Sequence, residues 1–277
     1  MTARKRLAVL GQPISHSRSP AMHSAALQEM GLSGEWSYEA IEVSSEDFET
    51  RVRAMEGEDF VGANVTVPHK IAALALADEP SPAAAEIGAA NTLSFAEGRI
   101  LAENTDATGF LDALPEPPAG KETLVLGAGG SARAVVWALV GAGASASVWN
   151  RTPERGQALA AELGARALGA SPRDWGLAME DFDLIVNCTT VGMGGASERP
   201  ASFKSLPIDA DSLSVKHQLV DLAYGSAETE LASVAAARGA SVIDGLEVLV
   251  RQGAASLRIW TGMEPPIETM RRAARAA

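Results

Sequence analysis

Three short polar clusters in the first part of the chain carry more directional chemistry than turns or strand ends require. They are GQPISHSRSP at 11–20, NVTVPHK at 64–70, and GAANT at 88–92 with its sequel NTDATG at 104–109. Together they hold the hydroxyls of Ser15, Ser17 and Thr66, the carboxamides of Asn64, Asn91 and Asn104, the ammonium of Lys70 and the carboxylate of Asp106. Such a set suits a small polyhydroxylated acid: each ligand hydroxyl needs a directional partner, and a buried polar group left unmatched costs ~1–3 kcal/mol. Lys70 directly follows NVTVPH at a predicted helix start, where the helix dipole disfavours a cation, so propensity does not explain it. Asp106 has an ordinary alternative role as cap of a helix beginning near ATGF.

A fourth cluster, LVLGAGGSA, reads as apolar strand, glycine turn and helix, with Gly127, Gly129 and Ala132 matching G-x-G-x-x-A. In such a turn, Gly127, Ala128, Gly129, Gly130 and Ser131 bring a pyrophosphate against a helix N-terminus, whose free amides and dipole favour an anion. A second strand, SASVWN, ends about twenty residues on, the distance at which the ribose is read. An NAD site usually places Asp or Glu there, whereas this chain has Asn150, Arg151 and Thr152, followed by Arg155. A guanidinium fork suits a 2′-phosphate that a carboxylate would repel, and Thr152 can cap the next helix and also donate a hydroxyl. NADP is the expected cofactor; the alternative is an ordinary cap flanked by solvated arginines.

Elements must hold these clusters in place. Up to Asp106 the pattern is β-α-β-α-β-α: KRLAVLG, SPAMHSAALQEMG, SYEAIEV, SEDFETRVRAME, FVGANVTVP and KIAALALAD. Ser19-Pro20 and Ser81-Pro82 each set a cap before a proline at the first helical position, and Gly31 ends the first helix. NTLSF and RILAEN, separated by Ala96-Glu97-Gly98, predict a hairpin. LPEPPAGK reads as a domain boundary. Strands TLVLG, SASVWN, DLIVNCT, QLVDLAY and ASVID then alternate with helices, as a doubly wound parallel sheet requires. The expected architecture is α/β: an N-terminal α/β domain with a mainly parallel sheet over 1–107, and a Rossmann domain over 108–245. The final helices, GLEVLVRQGAASLRIWTG and IETMRRAARAA, about 246–277, are expected to return to the first domain.

Bulk properties narrow the function classes. Thirty-five acidic against 23 basic residues give a formal charge of −12, which disfavours nucleic acid or an anionic membrane as partner. No apolar run approaches the ~20 residues of a membrane helix, and MTARKRLAVLGQP holds too short an apolar stretch for a signal peptide, so a cytoplasmic location is expected. The single cysteine, Cys188, sits in an apolar run and reads as core packing. His16, His23, His69 and His217 have no partner at metal-ligand spacing, so no metal is expected; His16 and His69 read as supports of site loops and His23 as a residue on a helix face. Trp149 reads as packing rather than an adenine stack.

With these motifs in this order over essentially the whole chain, the sequence resembles the shikimate dehydrogenase family. The resemblance implies reversible, NADPH-dependent reduction of 3-dehydroshikimate to shikimate. It further implies that Ser15 and Ser17 bind the substrate carboxylate, that Asn64 and Thr66 line the site, and that Lys70 and Asp106 are the catalytic pair. Asn91, Asn104 or both would meet substrate hydroxyls, the family motif favouring Asn91; Tyr224 and Gln252 would close the pocket, and Leu222, Gly245 and Thr189 would face the nicotinamide. Val248 and Leu257 depart from the commonest family pattern while staying apolar, which bears on fine substrate preference. Reducing a ketone needs a hydride at carbon and a proton at oxygen; the expected donor is Lys70, with Asp106 orienting it and accepting from a substrate hydroxyl. The alternatives are a quinate/shikimate dehydrogenase of broader specificity and a non-catalytic metabolite sensor. Monomer and homodimer are equally admissible.

Overall fold

The computed structural model describes residues 4–193, 202–225 and 228–277. The chain forms two compact units, Met1–Gly109 together with Leu249–Ala277, and Phe110–Val248.

The first unit runs β1 (Lys5–Gly11), α1 (Ser19–Glu29), β2 (Trp36–Glu42), α2 (Phe48–Met55), β3 (Phe60–Val65), α3 (Lys70–Ala75), β4 (Glu79–Pro80), α4 (Pro82–Ile87), β5 (Thr92–Ala96), β6 (Arg99–Glu103) and the start of α5 (Thr105–Ala113). Its sheet has the order β2-β1-β3-β5-β6-β4, with β5 antiparallel to both neighbours and the remaining pairs parallel. β1 is apolar at successive positions because both of its faces are covered. Side chains alternate along a strand, so Ala8 and Leu10 join Phe48, Val52, Met55 and Leu93 on one side, while Leu7 and Val9 join Met22, Leu27, Val250, Leu257 and Met270 on the other.

Local chemistry explains most boundaries. Ser81 caps α4 by accepting from the Ala84 amide. Ser19 does not cap α1: it is the first helical residue, the N-cap position falls to Arg18, and the Ser17 hydroxyl accepts from the Ser19 amide at 3.3 Å. The β5–β6 loop is tighter than the sequence suggests, because Ala96 pairs with Arg99 and leaves only Glu97 and Gly98, both at positive φ, as primed hairpin turns require. The edge strands β4 and, in the second unit, β9 (Arg166–Ala167) escape sequence reading because two residues carry no periodicity.

The second unit contains β7 (Glu122–Leu126), α6 (Gly130–Gly141), β8 (Ser145–Trp149), α7 (Pro153–Leu163), β9 (Arg166–Ala167), β10 (Leu184–Asn187), β11 (Gln218–Asp221), α8 (Glu230–Ala237) and β12 (Ser241–Asp244). Its sheet is parallel throughout, in the order β12-β11-β10-β7-β8-β9, the doubly wound arrangement. The order reverses between β7 and β10, so the loops after these two strands open side by side. α9 (Gly245–Thr261) begins in this unit and ends in the first, where α10 (Ile267–Ala276) follows it. Among the described residues, no helix is long and apolar enough to cross a membrane.

Candidate active site

Lys70 is buried at the start of α3, on a backbone fixed from two sides. The preceding His69 is held by a 2.7 Å hydrogen bond between its Nε2 and the Val43 carbonyl and by stacking on Phe48, so it supports the loop as expected. The Lys70 carbonyl accepts from the Ala90 amide, which ties the 64–70 cluster to the 88–92 cluster.

Asp106 lies in the first turn of α5 but does not cap it. Asn104 does: its Oδ1 accepts from the amides of Asp106 and Ala107, and its Nδ2 donates to the Ala89 carbonyl at 2.8 Å. Asn104 is committed to the backbone, and the Asp106 carboxylate is released from capping. Asp106 Oδ2 accepts from Lys70 Nζ at 2.6 Å and Oδ1 accepts from Asn91 Nδ2 at 2.9 Å, with the two charged side chains 11% and 14% exposed. The pair is sheltered, yet within reach of a ligand.

Asn91 has its orientation set by a backbone donor. The Thr105 amide donates to Asn91 Oδ1 at 2.7 Å, which turns Nδ2 towards Asp106, Thr105 Oγ1 and Gln252 Oε1, the last at 3.0 Å. With its oxygen engaged, Asn91 meets Asp106 and Gln252 as a donor. Gln252, on α9, is anchored through Nε2 to the Leu249 carbonyl. Asn64 is fixed in the same way: Tyr38 donates its phenolic hydrogen to Oδ1 at 2.8 Å, and Nδ2 donates to Ser256 Oγ at 3.0 Å. Sequence reasoning missed Tyr38, Thr105 and Ser256, since a lone tyrosine in a strand or hydroxyl in a helix carries no motif.

The remaining substrate-side candidates sit on adjoining loops. Ser15 is exposed and Ser17 half-buried on the segment leading into α1. Half-buried Thr66 lies against Gly11, where a side chain would collide with the Thr66 methyl, and the Gln12 amide donates to the Val67 carbonyl. Thus Lys70, Asp106, Asn91 and Gln252 are joined directly, and Asn64 reaches them through the Asn91 carbonyl.

In the second unit, Gly127 follows β7 at φ +110°, and a Cβ there would press on the Cys188 backbone at 3.2 Å, so both conformation and space demand glycine. Ala128 and Gly129 lead into α6, which begins at Gly130 and Ser131 and presents its N-terminal amides at the end of the turn. A dinucleotide pyrophosphate fits this cradle. At the end of β8, Asn150 Nδ2 holds the Thr152 carbonyl, while Arg151, Thr152 and Arg155 are exposed. Thr152 occupies the N-cap of α7 without a side-chain capping bond, contrary to expectation, which leaves its hydroxyl for another partner. Trp149 is buried, with its indole N–H on the Ala170 carbonyl, as a packing residue would be. Cys188 is half-buried, not in the core as expected, because it stands where β10 ends.

After β10 and β11 comes a network with no sequence signature. Asp221 is buried, accepting from Asn187 Nδ2 at 2.8 Å, Thr229 Oγ1 at 2.6 Å and the Ala223 amide; burial raises its pKa above the ordinary aspartate value, against the pull of these donors. Asn187 in turn accepts from the amide and hydroxyl of Thr189. Gly245 is set against this strand end: a Cβ would stand 2.6 Å from the Leu222 carbonyl oxygen. Tyr224, half-buried, follows Leu222. Among the described residues, no group of three or more His, Cys, Asp or Glu could hold a metal ion.

Comparison with known proteins bears on the whole chain. Residues 9–93 match the shikimate dehydrogenase substrate binding domain, 114–193 the shikimate / quinate 5-dehydrogenase domain and 245–275 the shikimate 5′-dehydrogenase C-terminal domain. The chain is 44% identical to a shikimate dehydrogenase (NADP(+)) of Thermus thermophilus, over 98% of each sequence. Among solved structures, shikimate dehydrogenase from Aquifex aeolicus superposes with a TM-score of 0.88 at 35% identity, covering 98% of both chains. A shikimate 5-dehydrogenase from Thermus thermophilus, in complex with NADP(H) and shikimate, gives 0.84 at 43% identity, covering 98% of this chain and 99% of that one.

Proposed function

Since the chain belongs to the shikimate dehydrogenase family, we propose that it interconverts shikimate and 3-dehydroshikimate with NADP, and that Lys70 and Asp106 perform the proton chemistry. The observation that carries this reading is the sheltered Lys70–Asp106 ion pair with Asn91 donating to the same carboxylate. Ser15 and Ser17 bind the substrate carboxylate; Asn64, Thr66, Asn91, Tyr224 and Gln252 line the pocket. The pyrophosphate is held by residues 127–131, the 2′-phosphate by Asn150, Arg151, Thr152 and Arg155, and the nicotinamide end by Leu222 and Gly245.

Bound NADPH supplies the hydride for the substrate carbon. The rest falls to the chain. Lys70 Nζ donates a proton to the carbonyl oxygen as it becomes a hydroxyl, then regains one from solvent. Asp106 holds Nζ in line and accepts from a neighbouring substrate hydroxyl, while Asn91, donating to Asp106 Oδ1, fixes the orientation of that carboxylate beside the substrate. In the reverse direction Lys70 takes the proton back. The setting we propose is cytoplasmic, with the chain acting as monomer or homodimer.

Purified protein mixed with shikimate or quinate and NADP or NAD, followed by reduced-nicotinamide absorbance, tests the reaction. Selective turnover of shikimate with NADP is expected; comparable rates with quinate or NAD would place the chain in the broader shikimate/quinate group, and binding without turnover would make it a sensor. Lys70→Ala should lower kcat by roughly 100-fold or more, with a smaller kcat loss for Asp106→Asn. Near-normal turnover in the lysine variant alongside loss in the aspartate variant would exchange the two roles.

A further inference from the structure

We propose that Gly109 is a positioning residue for the substrate site, keeping α9 close enough for Gln252 to meet Asn91 beside Asp106; this rests on the substrate-facing roles given above to those three residues. Gly109 lies in the middle of α5, where glycine is a poorer helix former than alanine, and its φ lies outside the left-handed region. Neither propensity nor conformation calls for it. Space does: a Cβ at this position would stand 2.6 Å from the Gln252 backbone nitrogen, 2.7 Å from its Cβ and 2.8 Å from its Cα. Two of these are backbone atoms, which cannot rotate away. Gly109 is three residues beyond Asp106 and therefore on the same side of α5, so the contact that admits Gln252 lies one turn from the carboxylate. Gln252 Oε1 accepts from the same Asn91 Nδ2 group that donates to Asp106 Oδ1. Displacing α9 therefore loosens a bond to the residue that orients the catalytic carboxylate.

The next residue of α9 provides a contrast. A Cβ on Gly253 would meet the terminal methyl of Met22 and, at 3.2 Å, His23 Nε2 on α1. The Met22 methyl is the far end of a flexible side chain and can swing aside. At this turn α9 thus has a rigid contact through Gln252 with Gly109 and a yielding one through Gly253 with Met22.

The test compares Gly109→Ala, Gly253→Ala and the double variant Gly109→Ala/Met22→Leu with the parent protein. Gly109→Ala should raise the shikimate KM at least ten-fold and lower kcat while leaving the NADP KM within two-fold; Gly253→Ala should change the shikimate KM less than three-fold. Met22→Leu conserves volume but draws the side-chain end back from Gly253, which relieves α9 on that side. The double variant should recover thermal stability lost by Gly109→Ala yet keep the raised shikimate KM. Recovery of both together would overturn the proposal in favour of a packing role, as would an unaltered KM in folded Gly109→Ala. A crystal structure of Gly109→Ala, alone or with Met22→Leu, reads the point without turnover: the Asn91–Gln252 bond, 3.0 Å in the parent, should be broken, and finding it intact would overturn the proposal even if the parent acted on a different substrate.

Discussion

At the scale of single residues, the direction of each hydrogen bond in the site is imposed from outside it. Asn91 is a donor because the Thr105 amide occupies its oxygen, and Asn64 because the Tyr38 hydroxyl does. Tyr38→Phe therefore leaves the Asn64 oxygen buried without that donor, at ~1–3 kcal/mol. We expect a lower urea midpoint together with a several-fold rise in shikimate KM, and no change in NADP KM; an unaltered shikimate KM would show that Asn64 keeps its orientation without the phenol. The residue types were legible in the sequence, since hydroxyls, amides and one Lys/Asp pair in three polar clusters have few structural uses. The cap was not. Both Asn104 and Asp106 are good N-caps, and only geometry assigns that work to Asn104.

At the scale of elements, period and punctuation exposed the alternation of strands and helices and the glycine turn after β7. What stayed hidden were ties between strand ends distant in sequence, such as Asn187–Asp221–Thr229, and the short edge strands β4 and β9. The Asp221 network also has a pH signature. Its folded-state pKa is raised by burial above the ordinary 3.8, so the folded state holds a proton the unfolded chain releases. This contribution to stability is complete below the unfolded value and is lost as pH rises through the folded one. Asp221→Asn should flatten that decline, as read from urea midpoints across pH ~3 to 7; an unchanged slope would place the loss of stability with rising pH elsewhere.

At the scale of the whole molecule, His23 sets an opposite dependence. It is fully buried on α1, stacked on Tyr38 at 4.1 Å, with neither ring nitrogen having a hydrogen-bond partner among the described residues, and burial lowers its pKa from 6.5 to about 3. Because the folded value is depressed, its stabilising effect is present above pH 6.5 and is lost as pH falls towards 3, by at most about 5 kcal/mol. His23→Phe keeps a ring against Tyr38 and cannot take the proton, so unfolding between pH 6.5 and 3 should become less steep; an identical acid limb would exonerate this histidine. Sequence placed His23 on a helix face, but its complete burial depends on β2, the next element, and on α9, which approaches from a distant part of the chain.

The two crossings of the chain between units, in α5 and α9, also set an order in time. The second unit is continuous in sequence and can fold as soon as it leaves the ribosome, whereas the first must wait for α9 and α10 to cover Leu7, Val9, Met22 and Leu27. Until then that face of its sheet is covered by α1 alone, and its remaining apolar surface is one that chaperones and neighbouring nascent chains can bind. Gln252 belongs to that late segment, so a polypeptide released early would carry Lys70 and Asp106 without the residue that completes their surroundings, and would be a candidate for degradation rather than a partial enzyme.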